Sequence, residues 1–212
     1  MNEKYVPKEE VRPLRKQFHD WMQSIHDEIK HSGVSFTYML VGSAKRNLVI
    51  RHHNKGFDCD YQIKITHNEK RLKPQELKYL FRNALNKVVK KSGYSDCEDS
   101  TSSLTIKKKG EKSDIEHSYD IVILTRGKEG LEILRYNKSP NGAGNYVFEL
   151  LPDMSNAREN FQRIRGKEMW DKLRNIYYKK KMDEMDGSKT GKKSFQLLNE
   201  VVNEVLDTII QW

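Results

Sequence analysis

Nine residues, 57–65 (FDCDYQIKI), restrict the fold of this chain more than any other stretch. Phe57, Cys59, Tyr61, Ile63 and Ile65 recur at every second position, and Asp58, Asp60, Gln62 and Lys64 fill the gaps. Side chains of a β-strand point alternately to opposite faces. The pattern therefore predicts a strand that buries one face and presents two carboxylates side by side on the other. Upstream, the apolar run 38–41 ends abruptly in Gly42-Ser43. A Gly-Ser turn offers backbone N–H groups and a hydroxyl to a phosphate. Carboxylates two apart on a strand can share a hard divalent cation, and Mg²⁺ is commonly held by one or two carboxylates together with substrate phosphates. In outline, the stretch is a site for a phosphate and a metal ion.

A third carboxylate belongs with these two. Asp120 sits inside the apolar run YDIVIL, where burying an unpaired aspartate is costly. It requires a cation, a metal ion, or an edge strand facing water. The upstream Asp58-Cys59-Asp60 favours the metal. Residues 101–109 and 116–125 read as two strands joined by a turn at 109–112, and the order of elements places Asp120 on the second of them. Between Ser43 and the carboxylate strand, residues 44–55 carry Lys45, Arg46, Arg51 and Lys55. Such charges are either solvated or, for Lys45 and Arg46, within reach of a triphosphate. His52-His53 looks like a metal pair but has no partner at useful ligand spacing.

The remaining elements follow from periodicity. Residues 8–31 place Val11, Leu14, Phe18, Trp21, Met22, Ile25 and Ile29 on one stripe of an amphipathic helix that Gly33 stops. His19, His26 and His31 on it read as surface residues. Residues 34–41 form a first strand, and Pro74 opens a helix to residue 91, ended by Ser92-Gly93. The loop 96–100 is acidic and polar and reads as plain surface. Strands at 131–136 and 146–151 flank NKSPNGAGN, either a hairpin connection or a loop over the site. From Ser155 the pattern is helical, with a break near Gly166, a linker at 186–193 and a last amphipathic helix at 195–212. YYKKKM at 177–182 admits nucleic-acid stacking or a helix end with snorkelling lysines.

These elements read as α+β: a mixed sheet with helices on one side, then a small helical unit. Residues 1–152 are expected to form the first domain and 153–212 the second. The formal charge of +9 over 212 residues favours a polyanionic partner such as a nucleotide or RNA. No apolar run approaches the roughly 18 residues that span a bilayer, and the charged N-terminus lacks a signal-peptide core. Only two cysteines, Cys59 and Cys97, are present. Both fit a reducing cytoplasm.

Gly42-Ser43, then Asp58-Cys59-Asp60, then Asp120 within Tyr119-Asp120-Ile121-Val122 resemble the DNA polymerase β-type nucleotidyltransferase superfamily. Its pattern is Gly-Ser after a strand, Asp-x-Asp, and a third Asp. The spacing and the Ser-Leu-Thr-Ile strand ahead of Asp120 look most like the branch of oligoadenylate synthetases, cyclic GMP-AMP synthase and bacterial CD-NTases. The resemblance covers residues 36–124. It implies a mixed-sheet nucleotidyltransferase core and two-metal transfer of an NMP from a nucleoside triphosphate to an acceptor hydroxyl on a nucleotide, RNA or protein. Asp58, Asp60 and Asp120 would then be catalytic and hold Mg²⁺ or Mn²⁺. Gly42, Ser43, Lys45 and Arg46 would bind the nucleotide. Two other readings stand beside it: a non-catalytic basic RNA- or nucleotide-binding module on the same fold, and a metal-dependent glycosyltransferase, since Asp-x-Asp also holds metal there. The acceptor, the base and the oligomeric state are left open.

Overall fold

Residues 5–51, 56–110, 114–138, 144–187 and 190–210 are described by the computed structural model of the chain. They divide into two compact units, Tyr5–Leu151 and Pro152–Trp212. His52, His53 and Lys55 lie outside the described residues, as do parts of the turn at 109–112, of NKSPNGAGN and of the linker at 186–193.

The first unit opens with helix α1 (Lys8–Ile29), whose buried side is Val11, Phe18, Trp21, Met22, Ile25 and Ile29. Gly33 follows at φ 74°, a left-handed conformation that glycine adopts without a Cβ penalty. It turns the chain into strand β1 (Val34–Leu40). A short helix α2 (Gly42–Arg46) leads to β2 (Asp58–Asn68), then α3 (Pro74–Val89), β3 (Glu98–Asp99), β4 (Ser103–Lys109), β5 (Ile115–Arg126), β6 (Leu131–Lys138) and β7 (Gly144–Leu150). The seven strands form one mixed sheet in the order β1-β2-β5-β4-β3, with β6 joining the far end of β5 and β7 joining β6. β2 and β5 run parallel while the other pairs are antiparallel. A parallel pair needs a long crossover, and α3 with the β3–β4 segment supplies it.

Alternation along β2 is as expected. Cys59, Tyr61, Ile63 and Ile65 are buried, while Asp58 is exposed and Asp60, Gln62 and Lys64 are half-buried. Tyr119, Ile121 and Ile123 of β5 and Leu104 and Ile106 of β4 continue the buried face, and α1 and α3 close over it with Phe18, Met22, Leu77, Phe81 and Leu85. Burying each such side chain is worth about 1.5–3 kcal/mol, which commits this face to the helices. The carboxylates are therefore on the opposite face.

Beneath the start of β5 lies a polar pocket in this core. Tyr94 Oη is 2.8 Å from His117 Nε2 and donates to Gln17 Oε1 at 2.5 Å. Burial lowers the His117 pKa below its ordinary 6.5, with Lys108 and Arg51 adding to that and Glu116 opposing it. With the folded pKa below the unfolded one, the unfolded chain takes up the proton first, so this group's contribution to stability is present above about pH 6.5 and lost as pH falls through the folded value. The melting temperature should fall between pH 7.5 and 5, and fall less in His117→Phe, which keeps the Tyr94–Gln17 bond. Calorimetric melts of both proteins across that range check this. Equal slopes would remove His117 as the cause.

The second unit is helical: α4 (Ser155–Arg163), α5 (Gly166–Asp186) and α6 (Ser194–Ile210). The break expected near Gly166 is there, with Gly166 at φ 74°. Leu173 and Tyr177 of α5 are buried, as are Leu198, Val201, Val202 and Val205 of α6. Within YYKKKM, Lys180 pairs with Glu204 at 2.9 Å and Lys181 donates to Ser194 Oγ at 2.7 Å. The stretch is engaged in helix packing. Among the described residues, no helix is long and apolar enough to cross a membrane.

Candidate active site

Pairing between the parallel strands decides how the carboxylates meet. Asp60 lies opposite Asp120, and Asp58 lies opposite Ser118. Thr105 of β4 lies opposite Asp120 on its other side, and Glu98 of β3 lies opposite Thr105. One row therefore crosses four strands as Glu98, Thr105, Asp120 and Asp60, and a second runs Lys107, Ser118 and Asp58. All point to the face away from α1 and α3. The structure thus brings Asp58, Asp60 and Asp120 together.

Each carboxylate is held differently. Ser118 Oγ donates to Asp58 Oδ1. Thr105 Oγ1 donates to Asp120 Oδ1 at 2.5 Å. Asp60 lies against Gly42, where a Cβ would sit 2.1 Å from Asp60 Oδ2. Val41 N–H donates to Asp60 O at 2.8 Å, which carries β1 directly into this contact. Gly42 also has φ 63°, so both its backbone and its missing side chain are used. Burial raises the Asp120 pKa, and the charge of Asp58 pushes the same way against the Thr105 hydrogen bond.

The nucleotide-binding residues fall out differently. Gly42-Ser43, expected as a turn, is the start of the five-residue α2, because Asn47 at φ 55° and the Leu48 N–H to Ser43 O bond (3.0 Å) close a helical turn there. Lys45 is exposed, whereas Arg46 Nη1 reaches back to Gly42 O at 3.0 Å. The segment after α2 is less polar in practice than its charges suggest, since Leu48, Val49 and Ile50 are buried. Cys59 is a core thiol with its pKa pushed up to about 12 by burial and by Asp60 and Asp58, which removes it as a nucleophile.

Thr105, Ser118, Glu98 and Lys107 were not singled out from the sequence. Alternation of Ser103 and Thr105 with Leu104 and Ile106 signals which face the hydroxyls take. Their partners depend on strand order. Residues 96–100, read as a surface loop, include β3, and Lys107 Nζ meets Glu98 Oε2 at 2.6 Å.

An oxygen-only donor set, with the half-buried Asp120 raised by desolvation and by Asp58, fits a hard divalent cation. Among the described residues, no group of three or more His, Cys, Asp or Glu side chains is placed to hold a metal ion on its own. Mg²⁺ does not require one, because it keeps waters and takes substrate phosphates as ligands.

No protein-family model matches the chain, and no curated protein matches it. Solved structures do. Vibrio cholerae DncV in its 3′-deoxy ATP bound form superposes with a TM-score of 0.64 at 15% identity, covering 95% of this chain and 68% of that one. The GTP bound form gives 0.57 at 16%, covering 94% and 52%. A further structure of Vibrio cholerae DncV, described as a cyclic AMP-GMP synthase and a prokaryotic cGAS homologue, gives 0.61 at 13%, covering 95% and 68%. The chain thus spans between half and about two thirds of these proteins. It shares the α+β fold of these DncV structures.

Proposed function

We propose that this protein is a metal-dependent nucleotidyltransferase that moves an NMP from a nucleoside triphosphate to an acceptor hydroxyl on a nucleotide, RNA or protein, with release of pyrophosphate. The observation that carries the reading is the register of β2 and β5, which sets Asp60 beside Asp120 with Asp58 on the same face. The DncV forms that share this fold are described as binding GTP and 3′-deoxy ATP, which supports nucleoside triphosphates as the donor class.

Asp58, Asp60 and Asp120 would hold Mg²⁺ or Mn²⁺, which supplies charge neutralisation at the triphosphate and acidifies the acceptor hydroxyl. Asp120, its Oδ1 occupied by Thr105, takes the acceptor proton on Oδ2. The acceptor oxygen forms its bond to the α-phosphorus as the bond to the bridging oxygen breaks, and the electron pair leaves with pyrophosphate. Backbone N–H groups at Gly42-Ser43 and the Ser43 hydroxyl hold the terminal phosphates, and Lys45 and Arg46 add positive charge. The chain contributes position and electrostatics more than covalent chemistry. This chemistry is assigned to unit Tyr5–Leu151, and the two unpaired, buried thiols suit a reducing cytoplasm.

Labelled nucleoside triphosphates incubated with Mg²⁺ or Mn²⁺, with and without total RNA, test the reading against an Asp58→Asn/Asp60→Asn control. Product from the wild type alone supports nucleotidyl transfer and begins to name the acceptor. Nucleotide or RNA binding without turnover in either protein replaces it with the binding-module reading.

Gly42→Ala is expected to lower turnover about 10²-fold, the scale of a 1 Å misplacement at a reacting centre. The added methyl must displace the Asp60 carboxylate. Steady-state rates check this, and turnover within threefold of wild type would show that the approach of Gly42 to Asp60 is dispensable.

A further inference from the structure

Two of the three carboxylates take a hydrogen bond from a hydroxyl on the neighbouring strand: Ser118 on Asp58 and Thr105 on Asp120. We infer that Thr105 and Ser118 are positioning residues, which preset Asp120 and Asp58 for a divalent cation before substrate arrives. This rests on the reading of the site as a nucleotidyltransferase centre.

The geometry supplies the reason. Three like charges on one face repel, and each carboxylate can swing away by rotating about its side-chain bonds. A hydroxyl donating to an ionised oxygen makes a short, strong bond that opposes this rotation. It consumes one of about four acceptor sites on a carboxylate and leaves the rest for a cation. The donors are themselves held. Thr105 is β-branched and stiff about χ1, and its strand is pinned by fully buried Leu104 and Ile106. Its single proton goes to Asp120, while the nearest other hydroxyl, Ser103 Oγ, is 3.5 Å away and 2.8 Å from Ser100 Oγ. Lys107, opposite Ser118, is the cation best placed to intrude, and Glu98 pairs with it at 2.6 Å.

Thr105→Val keeps the shape of the side chain and removes only the donor. Ser118→Ala removes the second donor independently, and Thr105→Ser restores the first. Mn²⁺ affinity, read by electron paramagnetic resonance of the free ion, is expected to weaken about 10–100-fold in Thr105→Val and in Ser118→Ala, the usual cost of losing an outer partner of a ligand. Turnover should show kcat reduced about 10–100-fold with KM for the triphosphate changed less than about threefold, the split of a lost orienting contact. Thr105→Ser should recover both quantities with an unchanged melting temperature, which a purely structural role does not predict. Wild-type Mn²⁺ affinity and kcat in Thr105→Val and Ser118→Ala overturn the inference and leave the proposed function standing. A wild type that neither binds Mn²⁺ nor turns over any triphosphate overturns both.

Discussion

Asp60→Asn is expected to lower nucleotide transfer by at least about 10²–10³-fold, the scale of removing one electrostatic stabiliser from a preorganised site. Without divalent cation it is expected to leave the melting temperature unchanged, because this face of the strand is not the core face. Asp60 and Asp120 are opposite one another on adjacent parallel strands, whose backbones run about 4.8 Å apart. Asp58 and Glu98 both push the Asp120 pKa up, so negative charge is crowded on this face. An amide in place of Asp60 would remove one proposed ligand together with one charge. Labelled-nucleotide turnover and a calorimetric melt in chelator check the two halves. Lost activity with a melting temperature lowered by several degrees would mean instead that Asp60 is part of the fold's support.

Asp99→Ala is expected to destabilise the first unit by about 3–5 kcal/mol, because it leaves one member of a buried ion pair without the other. Lys78 of α3 is fully buried, with Nζ 3.1 Å from Asp99 Oδ1 and 3.2 Å from Ser103 O. Asp99 Oδ1 takes no hydrogen bond, so the ion pair is its compensation. On the other carboxylate oxygen, Tyr146 of β7 donates at 2.5 Å, tying helix, sheet edge and hairpin to one aspartate. Burial already lowers the Lys78 pKa, with Asp99 opposing the shift. Once Asp99 is gone, Lys78 faces its desolvation and the nearby Arg82 charge with the Ser103 carbonyl as hydrogen-bond partner. Urea denaturation midpoints measure the loss. A double change, Lys78→Met with Asp99→Leu, should recover most of it, since replacing a whole buried pair by apolar groups of similar size is close to neutral. Such non-additivity is the mark of a coupled pair. A loss under 1 kcal/mol in Asp99→Ala would show that the pair is solvated in practice.

Both expectations depend on contacts of very different legibility. Asp58, Asp60 and the burial of Cys59, Tyr61 and Ile63 followed from period-two alternation, because a strand has no freedom to send successive side chains to the same face. The stripe of α1, the start of α3 at Pro74 and the break at Gly166 were likewise local matters of helix period, a fixed proline φ and a glycine in left-handed backbone. Asp120 was legible as an aspartate that needed company, and the sheet places Asp58 and Asp60 on its face. Which of them stands directly opposite it was not in the sequence.

That choice belongs to the sheet. The parallel register of β2 and β5 pairs Asp60 with Asp120, and the antiparallel register of β4 and β5 delivers Thr105 to the same carboxylate. Strand order is decided by how α1 and α3 bury the apolar face as a whole, a sum over many side chains that no single segment carries. For the same reason Glu98 and Asp99, adjacent in a stretch that reads as an acidic loop, take opposite roles. Glu98 turns to the carboxylate face, where it pairs with Lys107, and Asp99 turns to Lys78 under α3. Residue chemistry and local period thus determined the strand and the face its carboxylates take. The partners that hold each carboxylate in place came from long-range pairing, because only the closed sheet brings residues sixty positions apart within reach of one hydrogen bond.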